Sequence, residues 1–312
     1  MALQKIAVIA HAHKLQAQVL LKEIESWADQ HNYEVVTNLA GEAPPADSEN
    51  ATGDSVLVPD DKLIESFRDA AWAITLGGDG TILYAAHVVA PLHVPVLAVQ
   101  LGNLGFHTQV EPKELKEALD AMHENRYRVE NRMTLKVELL PSSHDNGEAL
   151  RLPRSNGILA LNDVVVAKTA WGRMVHLRIH VDDEPASDLY ADGFLVATPT
   201  GSSAYNYAAR GPVVEPGMEA MVLNAICPHR INFSPLVLAS HRTIRVAFHP
   251  RKQSEEAQLV VDGRVWCSVP QNLELKIYKA PVYLRLVVFE NRFFARLRDK
   301  LAWGGLFWKA EQ

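Results

Sequence analysis

Two hydrophobic patterns divide the chain near residue 128. Before that point, short apolar runs alternate with stretches whose apolar residues recur with helical spacing, as expected when strands alternate with amphipathic helices. Strands are predicted at 5–10, 33–37, 73–76 and 94–100, and helices at 15–31, from Asp60 or Asp61 to about Ala70, at 81–89 and at 112–125. This alternation predicts an α/β domain built on a parallel sheet over residues 1–128.

Beyond residue 128, apolar and polar positions alternate one by one, which is the period of half-buried strands. Such runs occur at 135–139, 177–181, 273–277 and 282–288. They predict a mostly antiparallel β-sandwich domain over residues 129–289. Helical spacing returns at 291–303, where four basic residues form a side that we interpret as a solvated face, the alternative being a phosphate site: Arg292, Arg296, Arg298 and Lys300.

Composition excludes several classes of protein. With 312 residues, 48% of them hydrophobic, the chain is long enough for two domains with full cores. A net charge of −6 argues against a nucleic-acid or membrane partner, and no apolar run is long enough to span a bilayer. Cys227 and Cys267 form no closely spaced pair, and residues 1–14 lack a charged-then-apolar leader, so we expect a cytoplasmic protein. The acidic, proline-containing segment 41–54 is predicted to be a solvated loop.

The most informative stretch is Gly77-Gly78-Asp79-Gly80-Thr81, where a strand runs into a helix. Glycines there allow backbone angles closed to other residues and let a bulky anion approach the main chain. A helix N-terminus at the same point favours phosphate. Because a carboxylate repels phosphate, we interpret Asp79 as a proton acceptor for a hydroxyl or a ligand for a cation. The alternative is an ordinary tight turn.

Several familiar motifs are missing from the sequence. The glycine turn lacks the Lys-Ser/Thr ending of a Walker A loop, and the first strand leads into His11-Ala12-His13-Lys14 without the glycines of a dinucleotide fingerprint. Gly201-Ser202-Ser203-Ala204 is not the nucleophile elbow of a hydrolase. None of the 13 histidines has the spacing of a zinc site, so no zinc site is predicted, whereas Mg²⁺ arriving with a nucleotide needs few protein ligands and leaves little trace in a sequence.

Four further stretches carry polar residues beside predicted strands. A glycine-containing loop at 101–108 follows a strand of the parallel sheet, where ligands commonly bind. Asn162 and Asp163 precede a valine-rich strand, although strands disfavour both residues. The stretch 190–207 brackets an apolar strand with a carboxylate and a cluster of hydroxyls, and the last stretch joins 226–229 to 260–264. Taken singly, these are also compatible with a turn before a strand, a serine-rich turn and a hairpin turn.

Together the five stretches resemble the NAD kinase family, which shares a superfamily with diacylglycerol kinases and 6-phosphofructokinases. The resemblance covers most of the chain. It implies a Rossmann-like α/β domain onto which the C-terminal segment 290–312 packs back, and transfer of the γ-phosphate of ATP to the 2′-hydroxyl of the adenosine ribose of NAD, giving NADP. It also implies Mg²⁺ or another divalent cation with ATP, and a homodimer or homotetramer in which neighbouring subunits complete the site.

The resemblance assigns roles to individual residues. Asp79 becomes the proton acceptor, and the main chain of Gly77, Gly78 and Gly80 faces the donor phosphates. The residues implied to hold the acceptor or its phosphates are Phe106, Asn162, Asp163, Arg173, Asp192, Ser203, Ala204, Tyr205, Asn206 and Arg264. The sequence departs from the family at Asp163, commonly Glu, at Tyr190, where some relatives place Arg, and at Ser234, usually Arg.

Two other functions compete with this interpretation. The first is a related kinase that acts on a lipid or sugar hydroxyl, which the acidic net charge and the polar cluster at 192–207 disfavour. The second is a catalytically weak, NAD-binding regulatory protein, which the presence of Asp79 disfavours. Product formation with NAD, with diacylglycerol and with fructose 6-phosphate, together with NAD binding, distinguishes all three.

Overall fold

The computed structural model describes residues 3–40, 59, 61–102, 105–141, 157–169, 173–230, 232–250, 255–271, 273–290 and 292–304. The predicted loop at 41–54 lies outside the described residues, as do Asn103 and Leu104 of the glycine-containing loop. Within the described part, no helix is both long enough and apolar enough to cross a membrane.

The predicted helices and strands are present in the described part of the chain, together with others that the sequence analysis does not predict. The helices are α1 Leu15–Gln30, α2 Asp61–Ser66, α3 Asp79–Val89, α4 Leu115–His123, α5 Tyr205–Ala208 and α6 Phe293–Leu301. The strands are β1 Gln4–His11, β2 Tyr33–Ala40, β3 Ala70–Gly77, β4 Val96–Gln100, β5 Arg128–Pro141, β6 Ile158–Ala160, β7 Asp163–Lys168, β8 Val175–Val181, β9 Glu184–Ala191, β10 Gly193–Ala197, β11 Ala220–Ile226, β12 Leu236–Ala239, β13 Ile244–Phe248, β14 Ala257–Val261, β15 Arg264–Val269 and β16 Leu273–Val288.

The first part of the chain forms a parallel sheet covered by helices on both faces. Strands β2, β1, β3 and β4 pair in that order, all parallel. Apolar residues of α1 and α4 pack against one face, and α3 packs against the other. The centre of β1 is therefore buried continuously from Ile6 to Ala10. This arrangement confirms the predicted α/β class.

Helix α2 is shorter than the sequence predicts. It ends at Ser66, and the chain turns at Asp69, whose φ of 62° lies in the left-handed region, before β3 begins at Ala70. The predicted helix at 112–125 begins with a single 3₁₀ turn at Pro112–Glu114. There the side chains of Glu111 and Glu114 each accept a hydrogen bond from the other's backbone, forming a capping box.

The second part of the chain is mostly antiparallel. Six strands pair in the order β12-β11-β10-β7-β14-β15. This sheet packs on strands β5, β6, β8, β9, β13 and β16 of the larger, ten-stranded sheet, and the two inner faces share one large apolar core. The predicted β-sandwich is confirmed.

Strand β16 connects the two parts. The sequence predicts two runs, 273–277 and 282–288, whereas the structure contains one strand of 16 residues with a register shift between Lys279 and Tyr283. One side of β16 pairs with β5 along most of its length. On the other side, residues 244–247 of β13 pair antiparallel with its first half, and Val96 of β4 pairs parallel with Leu286. The parallel and antiparallel strands therefore belong to one continuous sheet.

Candidate active site

The glycine turn lies where β3 ends and α3 begins, at the carboxyl edge of the parallel sheet. Gly78 precedes the first helical residue, Asp79, and no side chain caps this helix end. The first N–H groups of an α-helix have no partner within the helix. Both the backbone donors and the helix dipole therefore favour an anion here.

Space, and not an unusual backbone angle, requires glycine at one position of this turn, Gly77. None of Gly77, Gly78 and Gly80 has a positive φ, so the expectation of angles closed to other residues was wrong. A Cβ on Gly77 would overlap the side chain of Thr81, one turn into α3. By contrast, a Cβ on Gly78 or Gly80 would meet nothing within 4 Å, because both residues border open space. The main chain at these two positions is therefore open to approach.

Asp79 is held by the loop that follows β4. The N–H of Phe106 donates to Oδ2 at 3.1 Å, and the N–H of His107 donates to Oδ1 at 3.2 Å. Gly105 allows this approach, because a Cβ there would overlap the Asp79 carboxylate. The carboxylate is thus oriented by two backbone donors, while the residue itself remains partly exposed.

His107, whose backbone N–H binds Asp79, carries a buried, neutral imidazole. Burial, together with the nearby Arg132 and Arg296, lowers the pKa of His107 to about 4, against the opposing effect of Asp79. The polar side chain of Asn162 lies next to the ring and also opposes this lowering of the pKa. His107 therefore connects the loop that holds Asp79 to the second polar stretch of the site.

That second stretch is organised by Asp262. Its carboxylate accepts three backbone N–H groups, from Leu161 at 2.8 Å, Asn162 at 2.7 Å and Asp163 at 3.1 Å. Asp262 and Gly263 have positive φ values of 49° and 77° and join β14 to β15. The predicted hairpin turn is therefore real, and its carboxylate fixes the chain at 161–163 as well.

A cavity of about 350 Å³ opens beside this turn. We call it the Asp163 cavity; its lining is Asn162, Asp163, Val165, Ala167, Ala204, Tyr205, Gln258, Val260, Asp262 and Gly263. Four predicted site residues meet here, although they lie about 40 positions apart in two groups: Asn162, Asp163, Ala204 and Tyr205. Asn162 is buried, and its Oδ1 has no hydrogen-bond partner among the described residues. An unpaired buried oxygen is an acceptor suited to a ligand N–H or O–H.

Two buried carboxyl groups therefore lie beside each other in this cavity. Burial and the neighbouring charge of Asp262 together raise the pKa of Asp163 to about 7. Burial also raises the pKa of Asp262 to about 6, although its three N–H donors favour the charged form. Asp262 is therefore the first of the pair to ionise, and Asp163 keeps its proton to higher pH.

We predict that Asp163→Asn stabilises the protein more at pH 8 than at pH 5. The folded pKa of Asp163 is raised, so its contribution to stability is fully present below its unfolded pKa and is lost as pH rises through about 7. Asn does not titrate, so the gain in free energy of unfolding from Asp163→Asn should be larger at pH 8 than at pH 5 by on the order of 2 kcal/mol. Thermal unfolding at both pH values measures it, with exposed Asp29→Asn as control. An equal effect of Asp163→Asn on stability at pH 5 and pH 8 would contradict the raised pKa of Asp163.

The hydroxyl groups at 198–203 form two pairs, of which the first, Thr198 and Ser202, holds the loop in place. Thr198 donates to Leu161 O at 2.6 Å and accepts from the N–H of Gly201 at 3.0 Å. Ser202 donates to Pro199 O at 2.6 Å and accepts from the N–H of Val214 at 2.9 Å. These hydroxyls fix the loop. Gly201 itself packs so closely on the backbone of Asn162 that a Cβ would overlap its carbonyl.

Thr200 and Ser203 instead line a second cavity, of about 210 Å³. We call it the arginine cavity; its lining includes Phe106, His107, Thr200 and Ser203 with Arg128, Arg132, Arg292 and Arg296 and the acids Glu130, Glu215 and Glu290. The Thr200 hydroxyl and Arg132 Nε are buried without a hydrogen-bond partner among the described residues. Because Ser203 and Ala204 are consecutive, the two cavities flank one loop.

Four other predicted site residues line neither cavity. Arg173 is exposed, ahead of β8. Asp192 forms an ion pair with Lys168 at 2.6 Å. Asn206 is fully buried; its amide donates to Ser202 O and Pro212 O, each at 3.0 Å, so its side chain supports the loop. Arg264 follows the Asp262–Gly263 turn, and burial lowers its pKa against the effect of Asp262.

Three residues of the site were missed or misjudged from the sequence. His107 and Asp262 had no assigned role, although both lie in stretches singled out for other residues. Arg296 was interpreted as part of a solvated face, yet its side chain is buried and contacts the loop at 106–109. The sequence clue to this burial is that Arg296 stands next to Leu297, an apolar residue that α6 buries.

Comparison with known proteins gives consistent matches. The ATP-NAD kinase N-terminal domain matches residues 6–127, and the ATP-NAD kinase C-terminal domain matches residues 161–289. The NAD kinase of Acidobacterium capsulatum is 35% identical, covering 97% of this chain and 99% of its own. The NAD kinase of Moorella thermoacetica is 33% identical, with coverages of 97% and 91%.

Solved structures share the fold. Yeast NADH kinase complexed with NADH has a TM-score of 0.77 at 22% identity, covering 100% of this chain and 91% of its own. An NAD kinase from Archaeoglobus fulgidus in complex with ATP has a TM-score of 0.68 at 25% identity, with coverages of 96% and 99%.

These matches and the arrangement of the site define a phosphotransferase that uses an alcohol group as acceptor. More specifically, the chain belongs to the ATP-NAD kinase family, and it is an enzyme that phosphorylates NAD.

Proposed function

We propose that this enzyme transfers the γ-phosphate of ATP to the 2′-hydroxyl of the adenosine ribose of NAD, with Asp79 as proton acceptor. The observation that carries the proposal is the Asp79 carboxylate. It stands at an uncapped helix N-terminus between glycines that border open space, and two backbone N–H groups orient it. A fixed base beside a site that favours phosphate is what hydroxyl phosphorylation requires.

On the donor side, the main chain of Gly78 and Gly80 would face the phosphates of ATP, with Gly77 keeping the turn close to Thr81. Mg²⁺ would arrive with the nucleotide, and it supplies charge neutralisation on the transferred phosphate. Among the described residues no cluster of three or more metal-binding side chains exists, and Asp79 is the carboxylate at this turn that could hold such an ion.

On the acceptor side, the Asp163 cavity would hold part of NAD. The unpaired Oδ1 of Asn162 can accept from an amino or hydroxyl group, and Tyr205 offers a partly exposed ring beside it. Thr200, Ser203 and Phe106 line the neighbouring arginine cavity and would continue this surface. The NADH complex of the yeast enzyme and the ATP complex of the archaeal enzyme support both substrate classes.

The reaction then balances as a single displacement. The ribose oxygen forms a bond to the γ-phosphorus as the bond from that phosphorus to the bridging oxygen of ADP breaks, and the hydroxyl proton passes to Asp79. Most of the acceleration comes from positioning and charge stabilisation, as in other phosphoryl transfers. In this chain the positioning groups are the two N–H donors on Asp79 and the loop fixed by Asp262.

The first test is NADP formation by the purified protein with NAD, ATP and Mg²⁺. We expect NADP with NAD, and no phosphorylated product with diacylglycerol or fructose 6-phosphate. A product with either alternative acceptor and none with NAD would assign the chain to a different kinase. NAD binding without any product would favour a regulatory protein instead.

We further propose a cytoplasmic homodimer or homotetramer. Leu236 and Val237 on the edge strand β12 are 55% and 49% exposed, and exposed apolar residues at a sheet edge favour association. Light scattering on the purified protein measures the mass directly, and a monomer at assay concentration would contradict the proposal.

A further inference from the structure

Arg296 makes three hydrogen bonds to the loop that holds Asp79. Its guanidinium donates to Phe106 O at 2.8 Å, to Thr108 O at 2.6 Å and to Gln109 Oε1 at 3.2 Å. The residue is 7% exposed, in contrast to Arg298, which is exposed on the same helix. A planar guanidinium with several donors is suited to fixing two carbonyls at once.

One peptide group connects this arginine to the carboxylate. The Phe106 carbonyl that accepts from Arg296 and the His107 N–H that donates to Asp79 belong to the same peptide bond. In a trans peptide the C=O and N–H point in opposite directions within one plane. The position of the guanidinium therefore sets the direction of the N–H, and hydrogen bonds in series polarise one another.

The surroundings keep this connection in place. Lys300, also on α6, places its ammonium 5.6 Å from the centre of the Phe106 ring, a second contact between helix and loop. Burial, and the neighbouring Arg132 and Arg292, lower the pKa of Arg296 to about 10. It therefore remains protonated at neutral pH and keeps all its donors.

We propose that Arg296 is a positioning residue for phosphoryl transfer: through the 106–107 peptide bond it orients the Asp79 carboxylate toward the acceptor hydroxyl. The proposal rests on the proposed role of Asp79 as proton acceptor. It gives the C-terminal helix, which lies about 190 positions from the loop in sequence, a direct part in the active site.

Arg296→Gln tests the proposal, with Arg298→Gln as the matched control on the same helix. We expect Arg296→Gln to lower kcat by about tenfold or more, with KM for NAD and ATP within about threefold of wild type. Arg298→Gln should leave both constants near wild type. Arg296→Lys, which keeps the charge but can reach fewer carbonyls, should recover part of the lost turnover and covers the case in which the Gln variant does not fold.

A double variant separates positioning from general support of the fold. If Arg296 acts through Asp79, adding Arg296→Gln to Asp79→Asn should cause little further loss, whereas independent effects would multiply. Multiplying losses, or equal activity of the Arg296 and Arg298 variants, would overturn the proposal. A rise in KM for ATP alone would also overturn it, because Arg296 would then bind the donor. If Asp79→Asn is fully active, the proposed role of Asp79 itself fails.

Discussion

Asp79→Asn is expected to lower kcat for NADP formation by about two orders of magnitude or more, with NAD affinity largely kept. The amide cannot accept the hydroxyl proton at neutral pH, whereas Asp79 itself lines neither of the two acceptor cavities. Steady-state kinetics and a direct titration of NAD binding measure the two quantities separately. Turnover close to wild type would remove Asp79 from its role.

Asp79→Asn also needs a control for displacement of the loop at 105–109, which binds the Asp79 carboxylate. An amide at position 79 keeps one accepting oxygen and directs an NH₂ group at one of the two backbone N–H donors, which weakens the contact. Thermal unfolding of the variant should therefore accompany the kinetics, with exposed Asp29→Asn as a second Asp-to-Asn change. If NAD binding and stability fall together with turnover, displacement of the loop, and not loss of the base, explains the result.

Asp262→Ala is expected to have the largest effect on stability. It leaves three buried N–H groups without an acceptor, and each such group costs about 1–3 kcal/mol. We expect a total loss of about 4 kcal/mol and a decrease in Tm of roughly 10 °C. NAD affinity should also fall, because Asn162 and Asp163 lose the acceptor that fixes their backbone. Thermal unfolding and NAD titration at pH 6 measure both effects.

Asp182→Ala is the matched control for this variant. Asp182 also lies in a hairpin, between β8 and β9, with a positive φ of 56°, but its carboxylate is partly exposed, forms a surface ion pair with Arg242 and accepts one backbone N–H among the described residues. Both variants place an alanine at positive φ. The difference between their losses of stability therefore reports mainly on the buried N–H groups and not on that strain. Equal losses would show that the turn conformation, and not the three hydrogen bonds, dominates. At pH 8 the Asp262 loss should shrink, since its removal also removes the charge beside Asp163.

The parts of this molecule that local sequence determines were predicted well. Strands β1, β3 and β4 are apolar runs that need no distant partner to be recognised, and the glycines around Asp79 mark the turn directly. The single strand β16 was predicted as two, because the polar residues near its register shift interrupt the alternation. Such an irregularity is visible only when the pairing with β5 is known.

The residues that sequence reasoning misjudged act over long separations. Asp262 binds a backbone segment about 100 positions earlier, and Arg296 one about 190 positions earlier. Locally, Asp262 forms an ordinary turn and Arg296 is one of several basic residues on an amphipathic helix. Their roles depend on which elements the fold brings together, and that information is not present in spacing or periodicity.

Because β16 is one continuous strand shared by both parts of the chain, the first part is incomplete when expressed as a separate fragment. A fragment ending near residue 128 would contain β4 but not β16, whose Leu286 pairs with Val96 on the edge of β4 opposite β3, so the backbone groups at Val96 would be left open to another copy. That fragment would also lack α6, and with it the guanidinium that binds the Asp79 loop. We therefore expect the first 128 residues, expressed alone, to aggregate, although the family match to 6–127 would suggest a separable domain.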